Sequence, residues 1–84
     1  MDPHRLAEER SLAYHRAVAA RLLRDPAVLA AARQRVAGWL AECPTAWHAR
    51  RWREILEDDG PAVAAFLVAR TERATELRQS SPFA

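Results

Sequence analysis

The sequence has 84 residues, with 13 basic and 11 acidic side chains and a formal net charge of +2, and its length suits one domain with a small core. So small a net charge does not indicate a strong nucleic-acid binder, which usually concentrates positive charge on one face. A single cysteine excludes an intrachain disulfide. Without a signal-peptide-like start or an apolar run of roughly 20 residues, we expect a soluble, cytoplasmic protein that does not enter the membrane.

Proline and glycine signals divide the chain into four predicted helices. Asp2-Pro3 and Asp25-Pro26 are each typical of an N-cap followed by the first helical residue. Pro44 ends the second helix, and Asp59-Gly60-Pro61 marks the clearest loop. We predict an all-α fold, a compact four-helix bundle with short connections in one domain over residues 1–79. Its helices cover about 3–23, 26–42, 45–58 and 61–79, and residues 80–84 form a mobile tail.

The second predicted helix has the cleanest apolar face of the chain. One continuous arc of its surface carries Val28, Leu29, Ala32, Val36, Trp39, Leu40 and Cys43. The other side is nearly free of bulky side chains, with Ala30, Ala31, Ala37, Gly38 and Ala41. We therefore expect this helix to be central and both of its sides to be covered, with Gly38 admitting an unusually close neighbour.

Polar residues interrupt two other apolar faces. Glu8, Ser11 and His15 lie within the apolar arc of the first helix, beside Tyr14, and Arg70 lies within the stripe of the fourth predicted helix. Buried charges are rarely tolerated without partners, which leaves two interpretations open. Arg70 pairs internally, with Glu8 or Asp59, or these faces meet another protein chain. In the second case Phe83, on the loose tail, would act as a docking residue.

The segment from Trp47 to Arg53 combines two tryptophans with Arg50, Arg51 and Arg53, a combination that can bind phosphates and stack on bases. Acidic residues follow closely, however, and Arg50 and Arg53 can pair with Glu54 and Glu57 one helical turn away. Trp52 falls on the core arc of the third helix and Trp47 falls outside it. A core helix with a solvated rim is therefore one interpretation, and contact of the three arginines with DNA or RNA is the alternative.

Nothing in the pattern favours catalysis, a metal or a cofactor. Cys43 and His48 form the only closely spaced Cys/His pair, whereas zinc needs three or four protein ligands. Glu8, Ser11 and His15 share one helical face, so their side chains point outward together instead of converging as a catalytic triad does. We predict a protein that is not an enzyme.

Three stretches together resemble a known group of proteins. They are residues 9–16, Asp25-Pro26 with Ala32-Arg33 and residues 36–39, and residues 77–83, which end in Ser-Ser-Pro-Phe. The chain resembles a group of small, largely uncharacterised bacterial proteins that are antitoxin-like and associated with nucleotidyltransferase-like toxins. The resemblance covers most of the chain and implies no catalytic residues. It implies a protein that masks a toxin encoded by an adjacent gene.

Together these observations predict a non-catalytic, protein-binding module of a toxin–antitoxin system. The partner-binding residues we predict are Glu8, Ser11, Tyr14, His15, Arg70 and Phe83. The alternatives are a small DNA- or RNA-binding regulator that uses Arg50, Arg51 and Arg53, and a homodimeric helical scaffold.

Overall fold

The computed structural model describes residues 2–84, which form five helices joined by short links. These are α1 (Pro3–Arg24), α2 (Pro26–Glu42), α3 (Trp47–Leu56), α4 (Gly60–Leu67) and α5 (Glu72–Arg78). Residues 2–84 include no strand, so the predicted all-α class is confirmed. The helix count of five corrects the prediction of a four-helix bundle.

The predicted starts of the first, second and fourth helices agree with the structure to within one residue because aspartates cap them, whereas the third helix, predicted to begin at residue 45, begins at Trp47. The carboxylates of Asp2, Asp25 and Asp59 accept hydrogen bonds from the backbone amides of the first turns of α1, α2 and α4. Each satisfies an amide that has no partner within its helix, and a proline in the first turn has no amide to satisfy. Asp-Pro and Asp-Gly-Pro therefore fix where these three helices begin.

The segment predicted as one helix over residues 61–79 is two helices, with a break at residues 68–71. Thr71 starts the second of them, because its hydroxyl accepts a hydrogen bond from the amide of Ala74 at 3.1 Å. At the end of α4, the Arg78 guanidinium donates to the carbonyls of Leu67 at 3.3 Å and Ala69 at 2.7 Å. Side chains thus replace the backbone hydrogen bonds that a continuous helix would make.

The helix at the centre of the packing is α1, not α2 as the apolar pattern suggested. α1 packs against α2, α4 and α5, whereas α2 packs mainly against α3 and α1. The small-residue side of α2 is exposed, and a Cβ atom added at Gly38 would meet nothing within 4 Å. The molecule is correspondingly flat, with extents of 39 × 31 × 17 Å.

The core lies between the apolar faces of all five helices. Its largest fully buried side chains include Trp52, Leu56, Leu67, Leu77, His15, Val36, Val63 and Pro82. Among these, His15 was predicted to meet a partner and Pro82 to lie in a mobile tail. Both are covered by the chain itself. No helix within residues 2–84 combines the length and apolar character that crossing a bilayer requires.

Candidate functional site

The last five residues of the sequence, 80–84, form a turn-rich segment that lies against α1, α2 and α3, and we call this segment the strap. Ser81 and Pro82 within it are buried and Phe83 is half-buried, where the sequence predicted a mobile tail. The Phe83 ring packs edge-on against Trp52 with centroids 6.2 Å apart, and Trp52 meets Phe66 in the same way at 5.7 Å. The strap therefore closes one side of the core over Trp52.

His15 joins the strap to α1. Its Nε2 atom lies 2.7 Å from the Ser81 hydroxyl and its Nδ1 atom lies 2.7 Å from the Ser11 carbonyl. A carbonyl oxygen can only accept, so Nδ1 carries the proton and Nε2 of the neutral ring accepts from the Ser81 hydroxyl. That hydroxyl also accepts from the Phe83 amide at 3.1 Å. A buried histidine with both nitrogens used in this way favours its neutral form.

The environment of His15 opposes its protonation. Burial lowers the pKa of His15 below its ordinary value of 6.5, and the positive charge of Arg78 lowers it further. The hydrogen bond to the Ser11 carbonyl acts in the opposite direction, because it would also stabilise the charged ring. The net shift is downward, so the strap is held by an uncharged imidazole at neutral pH.

Two further side chains hold the backbone of the strap. The Tyr14 hydroxyl donates to the Phe83 carbonyl. From α2, Arg35 Nη1 donates to the carbonyls of Pro82 at 2.8 Å and Ala84 at 3.1 Å. The strap is thus tied to both α1 and α2, and its carbonyl groups have partners that water would otherwise supply.

The other predicted partner-binding residues have internal contacts at the surface. Arg70 lies in the link before α5, not within a helical stripe, and forms an ion pair of 3.1 Å with Glu9. The hydrogen bond and charge of Arg70 lower the pKa of Glu9. Glu8 lies 3.1 Å from the His4 ring nitrogen. Arg70 therefore does pair internally, but with neither of the two acids that the sequence suggested.

Arg78 is a structural residue that no sequence pattern singled out. It is 6% exposed, and burial lowers the pKa of its guanidinium. Besides the two carbonyls at the end of α4, it donates to the Thr75 hydroxyl at 3.2 Å. An arginine at the end of a helix is common on a surface, so nothing in the pattern distinguished this one as buried.

Trp47 is the large aromatic residue that the chain leaves most open, with 55% of its surface exposed. Its ring stands edge-on to His48 with centroids 5.9 Å apart. We call the depression beside it the Trp47 hollow, and it is lined by Trp47, Arg51, Arg73, Glu76 and Leu77. A second depression along α5 shares Glu76 and reaches Arg70. The tryptophan and Arg70 therefore belong to one continuous surface.

The three arginines of the nucleic-acid alternative do not lie on one surface. Arg51 lines the Trp47 hollow and contacts Glu54 at 3.5 Å. Arg53 lines a different groove between α2 and α3, together with Arg33 and Glu57. Arg50 is exposed and lines neither depression. The helix thus distributes these charges around its circumference.

Within residues 2–84, no three His, Cys, Asp or Glu side chains come together as a metal site would require. Cys43 is exposed, and its sulfur lies 3.7 Å from the Thr45 hydroxyl. Glu8, Ser11 and His15 do not assemble a triad, because His15 uses the Ser11 carbonyl and the Ser81 hydroxyl instead.

Comparisons of the chain with protein-family models, with curated proteins and with solved structures found no match.

Proposed function

We propose that this protein is a non-catalytic module that binds another protein through the surface centred on the Trp47 hollow. The observation that carries the proposal is the exposure of Trp47 next to Arg51 and Arg73. Tryptophan and arginine are the residues most often found to dominate the binding energy of protein interfaces. In a chain with few large apolar side chains, a tryptophan left half uncovered is available for such a contact.

The surroundings of Trp47 suit a protein partner better than a small ligand. Its ring stands edge-on to His48, and a tryptophan side chain has only two rotatable torsions, so little conformational freedom would be lost on binding. The surface continues past Glu76 to Arg70 with charges of both signs, which favours a partner surface with a mixed charge pattern. Arg70 thus stays within the proposed contact surface. Trp47 replaces Ser11 and His15, because His15 is buried and bonds both the Ser11 carbonyl and the Ser81 hydroxyl of the strap.

The resemblance to antitoxin-like proteins supplies the class of partner. We propose a toxin encoded by the adjacent gene, which this module would mask by covering its active cleft. Tyr14, which is 48% exposed, is another predicted contact residue that remains accessible. In this proposal Glu8, Ser11, His15 and Phe83 act indirectly, by keeping the helices and the strap in place.

The proposal is tested by co-expressing the protein with the product of the adjacent gene and measuring the affinity of the complex. Trp47→Ala should weaken binding at least about tenfold, since truncating a central interface tryptophan costs about 2 kcal/mol or more. Leu23→Ala is the matched control, because Leu23 is also an exposed apolar residue, 58% exposed, and lines neither hollow. No complex, no relief of toxicity, or equal effects of the two variants would each refute the proposal.

Nucleic-acid binding remains the second candidate because the same hollow places two arginines beside an exposed indole. Glu54 and Glu76 lie next to those arginines and reduce the positive potential. If phosphate contacts dominate, affinity for a single-stranded oligonucleotide should fall steeply with salt and should require Arg51 and Arg73. A flat salt profile would eliminate this candidate.

A further inference from the structure

We propose that the strap is a pH-dependent latch: the neutral His15 imidazole holds it closed, and protonation of His15 releases it while the helices stay folded. This function is separate from the Trp47 surface and does not depend on the proposed partner. The proposal stands on where His15 lies, at the junction of α1 and the strap, and on what its two nitrogens contact.

His15 contacts the strap through the Ser81 hydroxyl. That hydroxyl donates to His15 Nε2 and accepts from the Phe83 amide. When His15 is protonated, Nε2 becomes a donor, and the Ser81 hydroxyl proton loses its acceptor in a buried place. A buried polar group without a partner is unfavourable, and so is a buried charge without a counterion. Protonation therefore weakens the closed arrangement in two ways.

The charged groups near His15 do not compensate for a new positive charge. From α5, Arg78 opposes it, and from α2 the cationic Arg35 is bound to the strap backbone. α4 carries no titratable side chain. From α1, the nearest acids along the chain are Glu9, which pairs with Arg70, and Glu8, which contacts His4. The Tyr14 ring stands nearly perpendicular to the His15 ring, with centroids 5.3 Å apart, and supplies no counterion.

Release of the strap would extend an existing groove. Pro82 and Phe83 form part of the wall of a depression between α1 and α2 that is also lined by Val18 and Val28. Removing that wall would join the depression to Trp52, whose ring Phe83 now covers. The closed strap thus conceals an apolar surface that becomes accessible only in acid.

The sign of the pH dependence follows from proton linkage. The pKa of His15 is lower in the closed state than its ordinary value of 6.5, which the open strap would restore. The open state therefore binds the proton more readily. Between the two pKa values, the ratio of open to closed strap rises by up to about tenfold for each unit by which the pH falls. Above that interval the latch is fully closed.

The test is a backbone ¹⁵N relaxation titration of the full chain from about pH 7.5 to about pH 4.5. The heteronuclear NOE values of Ser80, Ser81 and Phe83 should fall in acid with a midpoint below pH 6.5, while those of the five helices stay high. His15→Gln should abolish the transition. The control His48→Gln should keep it, since His48 contacts Trp39 and Trp47 and not the strap.

Ser81→Ala provides a second variant in case His15→Gln does not fold. It removes the donor to Nε2, so the strap amides should already be more mobile at neutral pH and should respond less to acid. A strap that remains ordered in acid would overturn the proposal. So would a transition with the same midpoint in both His15→Gln and the wild type, or loss of the strap and helices together.

Discussion

Trp47 and Trp52 lie on the same helix, yet one is 55% exposed and the other is fully buried. Five residues of α-helix correspond to a rotation of about 140°, which directs the two rings to different sides of α3. Trp52 is covered by Phe66 and by Phe83 of the strap, whereas Trp47 has His48 beside it and is otherwise open. The two tryptophans thus differ in exposure because the rest of the chain covers one side of the helix and not the other.

The comparison separates polar residues that hold the fold together from residues available to a partner. On the closed side of α3, where Trp52 lies, the strap covers the ring and is held by His15, Tyr14 and Arg35. On the open side of α3, where Trp47 lies, Arg51 and Arg73 flank the ring and make no comparable contact with the core. A polar residue on an apolar helical face therefore indicates a side chain that needs a hydrogen-bond partner. For His15 that partner is Ser81, which belongs to the same chain.

The largest expected effect is on the closed side. Trp52→Ala should lower the free energy of unfolding by about 3–5 kcal/mol, because it removes the largest buried side chain and leaves a cavity. Trp47→Ala should change it by less than about 0.5 kcal/mol, as expected at an exposed position. Urea denaturation of the two variants measures this difference. Equal losses would show that Trp47 is also part of the core.

Arg78 and Arg73 offer the same comparison within α5. Arg78→Leu should cost about 1–3 kcal/mol, because the carbonyls of Leu67 and Ala69 would lose their donor in a buried place. Arg73→Leu, on the exposed side of the same helix, should be nearly neutral in stability. Thermal and chemical denaturation give the comparison, and a neutral Arg78→Leu would mean that water replaces the guanidinium.

Much of this arrangement could be predicted from the sequence. Asp-Pro signals located the starts of α1 and α2, and the helical period placed Trp52 in the core and Trp47 outside it. Thr71 is a weaker signal, because a threonine is also tolerated inside a helix, so the break before α5 was missed. The role of the strap was missed because its contacts with Tyr14, His15 and Arg35 join residues far apart in sequence, and no local pattern encodes them.

Tyr14→Phe is the smallest chemical change that tests whether the Tyr14 hydroxyl helps to hold the strap over Trp52. It removes the hydroxyl that donates to the Phe83 carbonyl and keeps the ring. The expected loss is about 0.5–1.5 kcal/mol of stability, the usual net value of one hydrogen bond. The variant should also make the Phe83 amide exchange faster with solvent. Unchanged exchange and stability would mean that this bond does not hold the strap.

The smallest expected effect concerns the second open surface, the small-residue side of α2. Gly38→Ala should raise stability by up to about 1 kcal/mol, because alanine favours the helix and its Cβ would meet nothing within 4 Å. Gly38→Leu should also fold, contrary to what a buried smooth face would require. If Gly38→Leu instead dissociates an oligomer in sedimentation experiments, that surface is an interface between copies of the chain.

The most direct test of the account is the backbone order of residues 80–84 at neutral pH. If the polar residues of α1 serve to hold the strap, the amides of Ser80, Ser81 and Phe83 should have ¹⁵N order parameters near those of the helices, about 0.85. Values below about 0.6 would show a mobile tail. In that case His15 and the hydroxyl of Tyr14 would be free for a partner, and the assignment of the closed and open sides of α3 would be contradicted.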